Sequence, residues 1–188
     1  MFVLIFSISP GPNNLMVTTV GVARGRLAAL KTAAGVSVGW AIQLVVFGLG
    51  AIAVMRAIPW LATFIEIFAV TYLLWLAQKL WRTDTIGSAT PGLSFRGTLL
   101  FQWINPKALT ISLSISGLFV VRSGGGIHLW SALAVAVVAA LFNYPCVCLW
   151  GLAGSTLTRR LARPGAELRF NRLAAALLVA LVIRLVAS

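Results

Sequence analysis

Long apolar intervals make up most of the sequence, and short charged stretches separate them. A helix of about 20 apolar residues is long enough to cross the hydrocarbon core of a bilayer. Five intervals reach that length, with Glu66 and Lys107 as the formal charges inside them. The pattern therefore predicts five membrane-spanning helices. The intervals are residues 1–23, 32–55, 57–78, 97–121 and 123–158.

A sixth span is predicted over Leu173–Ala187, at the end of the chain. About 15 residues make only some 22 Å of helix, which is short for a bilayer. The long side chains of Arg172 and Arg184 can reach opposite membrane surfaces, so the segment still qualifies as a span. The expected fold is an all-α integral membrane protein with six transmembrane helices in one domain, residues 1–188.

The composition excludes an ordinary soluble enzyme. Of the 188 residues, 60% are hydrophobic and 10% are charged, whereas soluble domains average roughly 45–50% apolar and 25% charged residues. The net charge of +12 is also typical of nucleic-acid-binding proteins. The positions of the charges decide between a membrane protein and a nucleic-acid-binding one.

The basic residues lie mostly on one side of the predicted membrane. The loops after spans 1, 3 and 5 carry 11 of them, the opposite side carries three, and Lys107 lies inside a span. Positive residues are retained in the cytoplasm, so these loops face inward and both termini are periplasmic. The charge orients the chain in the lipid bilayer, and no nucleic-acid partner is expected.

The chain divides into two sets of three spans. Residues 83–95 have the Gly, Ser, Thr and Pro composition of a linker, between a first repeat at 1–82 and a second at 96–188. Each set opens with a span that proline interrupts. Three spans reverse the direction of the chain, so the sets are predicted to be inverted repeats, as in many secondary transporters.

The two interruptions have matching depths. Pro12 lies 12 residues from Arg24 at the inner surface, about 18 Å of helix, and Pro106 lies 10 residues from Arg96, about 15 Å. The hydrocarbon core is about 30 Å thick. Both breaks are therefore predicted near the midplane, reached from opposite sides.

The first break exposes backbone donors. Residues 10–12 combine two prolines with a glycine, so a new helix should begin after Pro12. The N–H groups of Asn13, Asn14 and Leu15 are then expected to lack intrahelical partners. Such donors at the positive end of a helix suit a carboxylate.

The second break offers a matching amide in Asn105 and a cation in Lys107. The alternative is a pair of structural proline kinks in which asparagine satisfies the freed carbonyls, but the matching depth and the lysine favour a binding site. The predicted substrate-binding residues are Pro10, Gly11, Pro12, Asn13, Asn14, Asn105, Pro106 and Lys107.

Lys107 is the most costly residue of the predicted spans. A charge at the bilayer centre costs at least about 2.5–3.5 kcal/mol, so Lys107 is expected either to meet an anion or to lose its proton. Glu66 is an acidic residue inside a span and a candidate proton carrier. It can pair with Lys107, or with Arg56 at the outer surface, and the sequence leaves both pairings open.

Further polar residues inside the spans can line the same cavity, although each is also typical of an interhelical hydrogen bond. These residues are Gln43, Gln102, Asn143 and Tyr144. Small residues at helical spacing, such as Gly35 and Gly39, indicate close helix packing and nothing more.

Three motifs together resemble the LysE/RhtB amino-acid exporter family, over essentially the whole chain. They are SPGPNN at Ser9–Asn14, YLLWLAQK at Tyr72–Lys79 and FQWINPKA at Phe101–Ala108. The resemblance implies a secondary active exporter in the bacterial inner membrane, driven by the proton gradient. Family substrates are amino acids and derivatives, among them lysine, threonine, homoserine, homoserine lactone, leucine and cysteine. No enzymatic activity and no cofactor are expected, and a homodimer is an open alternative to a monomer.

Other functional classes fit less well. A thiol relay needs cysteines at the breaks, whereas Cys146 and Cys148 lie in span 5 and point to nearly opposite sides of a helix, as packing residues do. A metal-cation exporter needs clustered ligands, which a single His and a single intramembrane Glu do not provide. A membrane assembly factor that transports nothing remains the main alternative.

Overall fold

The structure is a computed structural model that describes residues 2–51, 57, 59–82, 95–120, 129–161 and 165–186. Every regular element in these ranges is helical, which confirms the all-α prediction. The elements are α1 (Phe2–Ile8), α2 (Pro12–Val46), a π-helical turn (Phe47–Ala51), α3 (Pro59–Arg82), α4 (Phe95–Phe101), α5 (Pro106–Val120), α6 (Leu129–Leu161) and α7 (Ala166–Val186). The predicted linker lies outside the described residues except for Phe95, which begins α4.

Helix α2 folds back on itself at Gly25, where the backbone has φ 80° and ψ −178°. In a straight helix Val17 and Ala29 would be about 18 Å apart. Instead, both side chains lie 2.8 Å from the position that a Cβ on Gly151 would take, so they are neighbours. Only glycine adopts this backbone conformation readily, and it separates predicted spans 1 and 2 where the basic loop was expected.

Two helical segments among the described residues are long and apolar enough to cross a membrane, Pro12–Gly50 and Leu129–Leu157. Large apolar side chains also cover the outer surface, as on Leu100, which is 69% exposed, and Trp130, which is 81% exposed. A soluble domain would bury many such groups. The molecule is therefore consistent with an all-α membrane protein, while the six-span inverted repeat stays a prediction.

The last helix is longer than the sequence predicted. Helix α7 covers 21 residues from Ala166, about 31 Å, whereas the predicted span began at Leu173. Charged residues before Leu173 were assigned to the loop, but they continue the helix. The Arg172 guanidinium lies 5.5 Å from the centre of the Trp81 ring on α3, which places this charge against the neighbouring helix.

Glycines bring α2 and α6 into backbone contact. A Cβ on Gly21 would overlap the carbonyl oxygen of Gly151, and one on Gly154 would overlap that of Thr18. On the second half of α2, a Cβ on Gly39 would lie 2.9 Å from the Leu99 carbonyl oxygen of α4. Small residues permit such close approach in membrane helices. The central pair α2–α6 and the helix α4 are thus held backbone to backbone.

Helices α3 and α7 pack together beside this central pair. Their contact is built from small and branched apolar side chains, and Leu15 of α2 joins it. The buried residues are Leu73, Leu76, Ala77 and Leu80 of α3 with Ala174, Ala175, Leu178 and Val182 of α7. Predicted spans 3 and 6 are therefore neighbours. On α6, Cys146 and Cys148 are buried free thiols, in keeping with their expected packing role.

Candidate functional site

The first break lies between α1 and α2. Helix α1 ends at Ile8, and α2 begins at Pro12 after an extended Gly11 that forms its N-cap. The Leu15 N–H donates to the Gly11 carbonyl at 3.0 Å, so the prediction of a free Leu15 N–H is wrong. The N-cap carbonyl already accepts the first intrahelical bond. The donors left over in this first turn are therefore the N–H groups of Asn13 and Asn14. The N-cap residue is a glycine, so it has no side chain that can accept from them.

The second break repeats this arrangement. A turn follows Phe101, and α5 begins at Pro106 with Asn105 as its N-cap. The Asn105 side-chain oxygen accepts from the Lys107 N–H at 3.2 Å, and its carbonyl accepts from the Leu109 N–H at 3.0 Å. Both new helices thus begin with proline at the first helical position, where its missing N–H costs nothing.

The prolines nevertheless deprive three carbonyls of their usual donors. In a continuous helix each carbonyl accepts from the N–H four residues later, and those N–H groups are missing at Pro10, Pro12 and Pro106. Side-chain donors replace all three. The Phe6 carbonyl accepts from Ser9 Oγ at 2.8 Å, that of Ile8 from Trp150 Nε1 at 3.0 Å, and that of Gln102 from Gln43 Nε2 at 2.8 Å.

The two breaks contact each other through an amide pair. The Asn13 amide nitrogen donates to the Gln102 side-chain oxygen at 2.9 Å, and the Gln102 amide nitrogen donates back to Asn13 at 3.2 Å. Gln102 is fully buried. The breaks that were predicted to reach the same depth are therefore in direct contact, whatever their position in a membrane.

Lys107 crosses from the second break to the first. Its ammonium donates to the Ser9 carbonyl and hydroxyl oxygens, both at 2.8 Å, and to the Pro10 carbonyl at 3.4 Å. It also lies 4.6 Å from the centre of the Phe6 ring, a cation–π contact. Among the described residues these partners are neutral oxygens at the negative end of α1, and the predicted alternatives, an anion or a lost proton, stay predictions. The Glu66 side chain lies outside the described residues, so its pairing stays a prediction.

A small cavity lies where these elements meet. Its volume is about 30 Å³. One water needs roughly 10–15 Å³ of such volume, so the cavity has room for about two waters. An amino acid does not fit into the cavity in this conformation. The cavity is lined by Phe6, Ser7, Gly11, Asn13, Asn14, Trp40, Lys107, Ala108, Ile111, Asn143 and Val147.

The predicted site residues divide into two groups. Gly11, Asn13, Asn14 and Lys107 line the cavity. The others shape the backbone beside it, and the Asn105 amide nitrogen is buried without a hydrogen-bond partner among the described residues. These shaping residues are Pro10, Pro12, Asn105 and Pro106.

Of the further polar candidates, only Asn143 lines the cavity, and it also donates to Ser37 Oγ at 3.0 Å. Gln43 and Gln102 instead form the interhelical bonds that were the alternative. Tyr144 is exposed and lies away from the cavity.

Sequence reasoning missed Phe6, Ser9 and Trp150. Counting four residues back from each proline identifies the carbonyls that need a donor, and so points to Phe6 and Ile8. It does not identify the donor, because Trp150 is 142 positions away from Ile8.

Comparison with known proteins identifies the family. The family model described as LysE type translocator matches residues 4–188. The chain belongs to the LysE type translocator family. A translocator moves its solute without converting it, consistent with the expectation that the chain is not an enzyme. No solved structure matches this translocator significantly.

Curated relatives of this LysE type translocator are named cysteine/O-acetylserine efflux proteins. One from Escherichia coli O1:K1 is 26% identical over 193 residues, which covers 98% of this chain and 93% of the relative. One from Klebsiella pneumoniae subsp. pneumoniae is 27% identical over 190 residues, with the same coverage. One from Salmonella typhimurium is 26% identical over 194 residues, again at 98% and 93%. The similarity therefore extends over nearly the full length of this chain and of each relative.

Proposed function

We propose that this translocator exports small neutral amino acids across the bacterial inner membrane as a secondary active transporter. Membership in the family and full-length similarity to cysteine/O-acetylserine efflux proteins support amino-acid export. The observation that carries the proposal is the convergence of two proline-started helices and one lysine on a single cavity. Cysteine and O-acetylserine are the first substrates to test, because both are small zwitterions.

The carboxylate of the solute is assigned to the first turn of α2. The N–H groups of Asn13 and Asn14 lack intrahelical partners there, and both residues line the cavity with Lys107. Helix N-termini favour anions because of their free donors and the helix dipole. Lys107 supplies a full positive charge beside them.

Transport requires this cavity to widen, because a volume of about 30 Å³ is too small for a solute. The six predicted spans, the inverted repeats and the periplasmic termini complete this picture. Glu66 is assigned as the proton carrier that couples export to the proton gradient.

Transport by purified protein in liposomes tests the proposal. Labelled cysteine, O-acetylserine, leucine and lysine are loaded inside, and release is followed with and without a pH gradient. Lys107→Met is expected to lower the release of the transported solute at least tenfold. Lys79→Met is the matched control, because Lys79 also lies near an aromatic ring, 5.2 Å from that of Trp75, but away from the cavity.

Three results would contradict separate parts of the proposal. Release of no amino acid by the wild type would favour an assembly factor and overturn the function. Unchanged release by Lys107→Met would overturn the site. Release by Glu66→Gln that still responds to the pH gradient would overturn the assignment of the proton carrier.

A further inference from the structure

The end of α1 forms a cage that is complete for a primary ammonium group. An ammonium has three N–H donors, and the cage offers the Ser9 carbonyl, the Ser9 hydroxyl and the Pro10 carbonyl at 2.8, 2.8 and 3.4 Å. The face of the Phe6 ring closes it at 4.6 Å. In this structure the occupant is the Lys107 ammonium.

Most of the cage does not need Lys107 for its own hydrogen bonding. The Asn14 amide nitrogen donates to the Ser9 carbonyl at 2.8 Å, and to the Ser7 carbonyl at 2.8 Å. The Ser9 hydroxyl uses its hydrogen on the Phe6 carbonyl. Lys107 can therefore leave while two of the three oxygens of the cage keep a hydrogen bond within the protein.

The Lys107 side chain passes close to Gly11 on its way to the cage. It comes from the other break, 98 positions along the chain from Ser9. A Cβ on Gly11 would lie 2.7 Å from Lys107 Cδ and 3.1 Å from Nζ, closer than side-chain carbons pack. Gly11 and Lys107 both line the cavity, so the side chain occupies space at its wall.

We propose that this cage, formed by Phe6, Ser9 and Pro10, is the subsite for the amino group of the exported solute, and that Lys107 occupies it when the carrier is empty. The inference rests on the proposed export function. When a zwitterion enters, its ammonium takes the cage, and Lys107 turns to the carboxylate. The ammonium of the solute then replaces the Lys107 ammonium in the cage, so the charge there is unchanged. The carboxylate of the solute gains the displaced Lys107 as its partner.

The proposal predicts a selectivity rule. A solute needs an unmodified ammonium group, so N-acetylcysteine is not expected to be released, whereas cysteine is. Changing the side chain of the solute has a smaller effect, because the cage holds only the amino group.

Chemical replacement of the lysine tests the cage without transport. Lys107→Ala removes three carbons and the ammonium, which is the composition of n-propylammonium. The purified protein is titrated calorimetrically with n-propylammonium, and with n-propanol as the uncharged probe of the same shape. We expect Lys107→Ala to bind n-propylammonium at least tenfold more tightly than the wild type does, with no such gain for n-propanol.

A second substitution in the cage is expected to remove this gain in n-propylammonium binding. Lys107→Ala combined with Ser9→Ala is expected to bind n-propylammonium at least fivefold more weakly than Lys107→Ala alone. Equal binding by the wild type and Lys107→Ala, or an unchanged gain after Ser9→Ala, would overturn the cage.

Variants that retain Lys107 keep the proposal testable if Lys107→Ala does not fold. Phe6→Leu is expected to raise the KM for cysteine at least fivefold, and Phe64→Leu, at an exposed position on α3, leaves it unchanged. Equal KM values in these two variants would overturn the cage. If Lys107→Ala shows the gain in n-propylammonium binding but neither the wild type nor any variant transports an amino acid, only the proposed function is overturned. If amino acids are transported but Lys107→Ala shows no gain in n-propylammonium binding, only this inference is overturned.

Discussion

Replacement of Gln43 by leucine tests the hydrogen bonding that the second break requires. Gln43 is fully buried. Its amide nitrogen donates to the Gln102 carbonyl at 2.8 Å, and its side-chain oxygen accepts from Ser112 Oγ at 2.9 Å. Leucine has nearly the same size but neither group, so the substitution removes both bonds with little change in packing.

The expected loss of stability depends on which hydrogen bonds Gln102 and Ser112 can still form in the Gln43→Leu variant. The Gln102 carbonyl has no regular helical donor because of Pro106, and it keeps only a long bond from the Asn105 N–H at 3.4 Å. A buried carbonyl without a partner costs about 1–3 kcal/mol. The Ser112 hydroxyl can turn to a carbonyl of its own helix, so the loss of its hydrogen bond to Gln43 costs about 0.5–1.5 kcal/mol. We expect Gln43→Leu to lower the free energy of unfolding by about 2–4 kcal/mol.

Reversible unfolding in mixed detergent micelles, followed by tryptophan fluorescence, measures this change. Gln78→Leu on the exposed face of α3 is the matched control, and we expect it to change stability by no more than about 0.5 kcal/mol. Gln43→Leu combined with Ser112→Ala should be non-additive by at least about 0.5 kcal/mol, because the two side chains bond to each other. Equal stability of the two Gln→Leu variants would refute the role of Gln43.

Three further substitutions test other contacts by thermal unfolding of the purified protein. Gly154→Ala should destabilise it by about 1–3 kcal/mol, because the added Cβ overlaps the Thr18 carbonyl and the backbones of α2 and α6 must separate. Trp150→Phe should cost about 0.5–1.5 kcal/mol, because it removes the exposed hydrogen bond from the indole N–H to the Ile8 carbonyl. Asn105→Ala should be about 1 kcal/mol less stable than Asn105→Ser, because serine retains an oxygen that can cap α5.

Matched variants separate these effects from general sensitivity to substitution. Ala153→Ser changes the exposed neighbour of Gly154 on the same helix, and Trp130→Phe changes a tryptophan that is 81% exposed. Loss of stability in these controls equal to that in Gly154→Ala or Trp150→Phe would contradict the corresponding contact. For Asn105, equal stability of the alanine and serine variants would show that the cap contributes nothing.

The helix breaks were predictable because proline acts locally. A proline lacks an N–H and kinks or ends the helix that it enters, and next to Gly11 and Asn105 the chain starts a new helix at Pro12 and at Pro106. Pro145, by contrast, lies inside α6 without ending it. The turn at Gly25 was likewise indicated by the charges on either side of it. Charge counting did not locate the start of α7, because the charged residues before Leu173 lie within that helix.

The partner of Lys107 was not predictable in the same way. A lysine inside a span was expected to meet an anion or to lose its proton, and a helix that ends early also provides carbonyl oxygens at its negative end. Which of these oxygens Lys107 reaches depends on how the two breaks pack. The sequence indicated the lysine and the break separately, and their contact over 98 positions is a property of the folded chain.

The distance along the chain between the Ile8 carbonyl and its donor bears on how the protein is synthesised. Trp150 is made 142 residues after Ile8, and Lys107 is made 97 residues after Pro10, whose carbonyl it contacts. The first break is therefore synthesised before the donors that complete it. Its exposed carbonyls have to remain near water, lipid head groups or the insertion machinery until α6 arrives. Assembly of the first half is thus completed only by the second, and a nascent chain that stops before α6 should be a preferred substrate for membrane quality-control proteases.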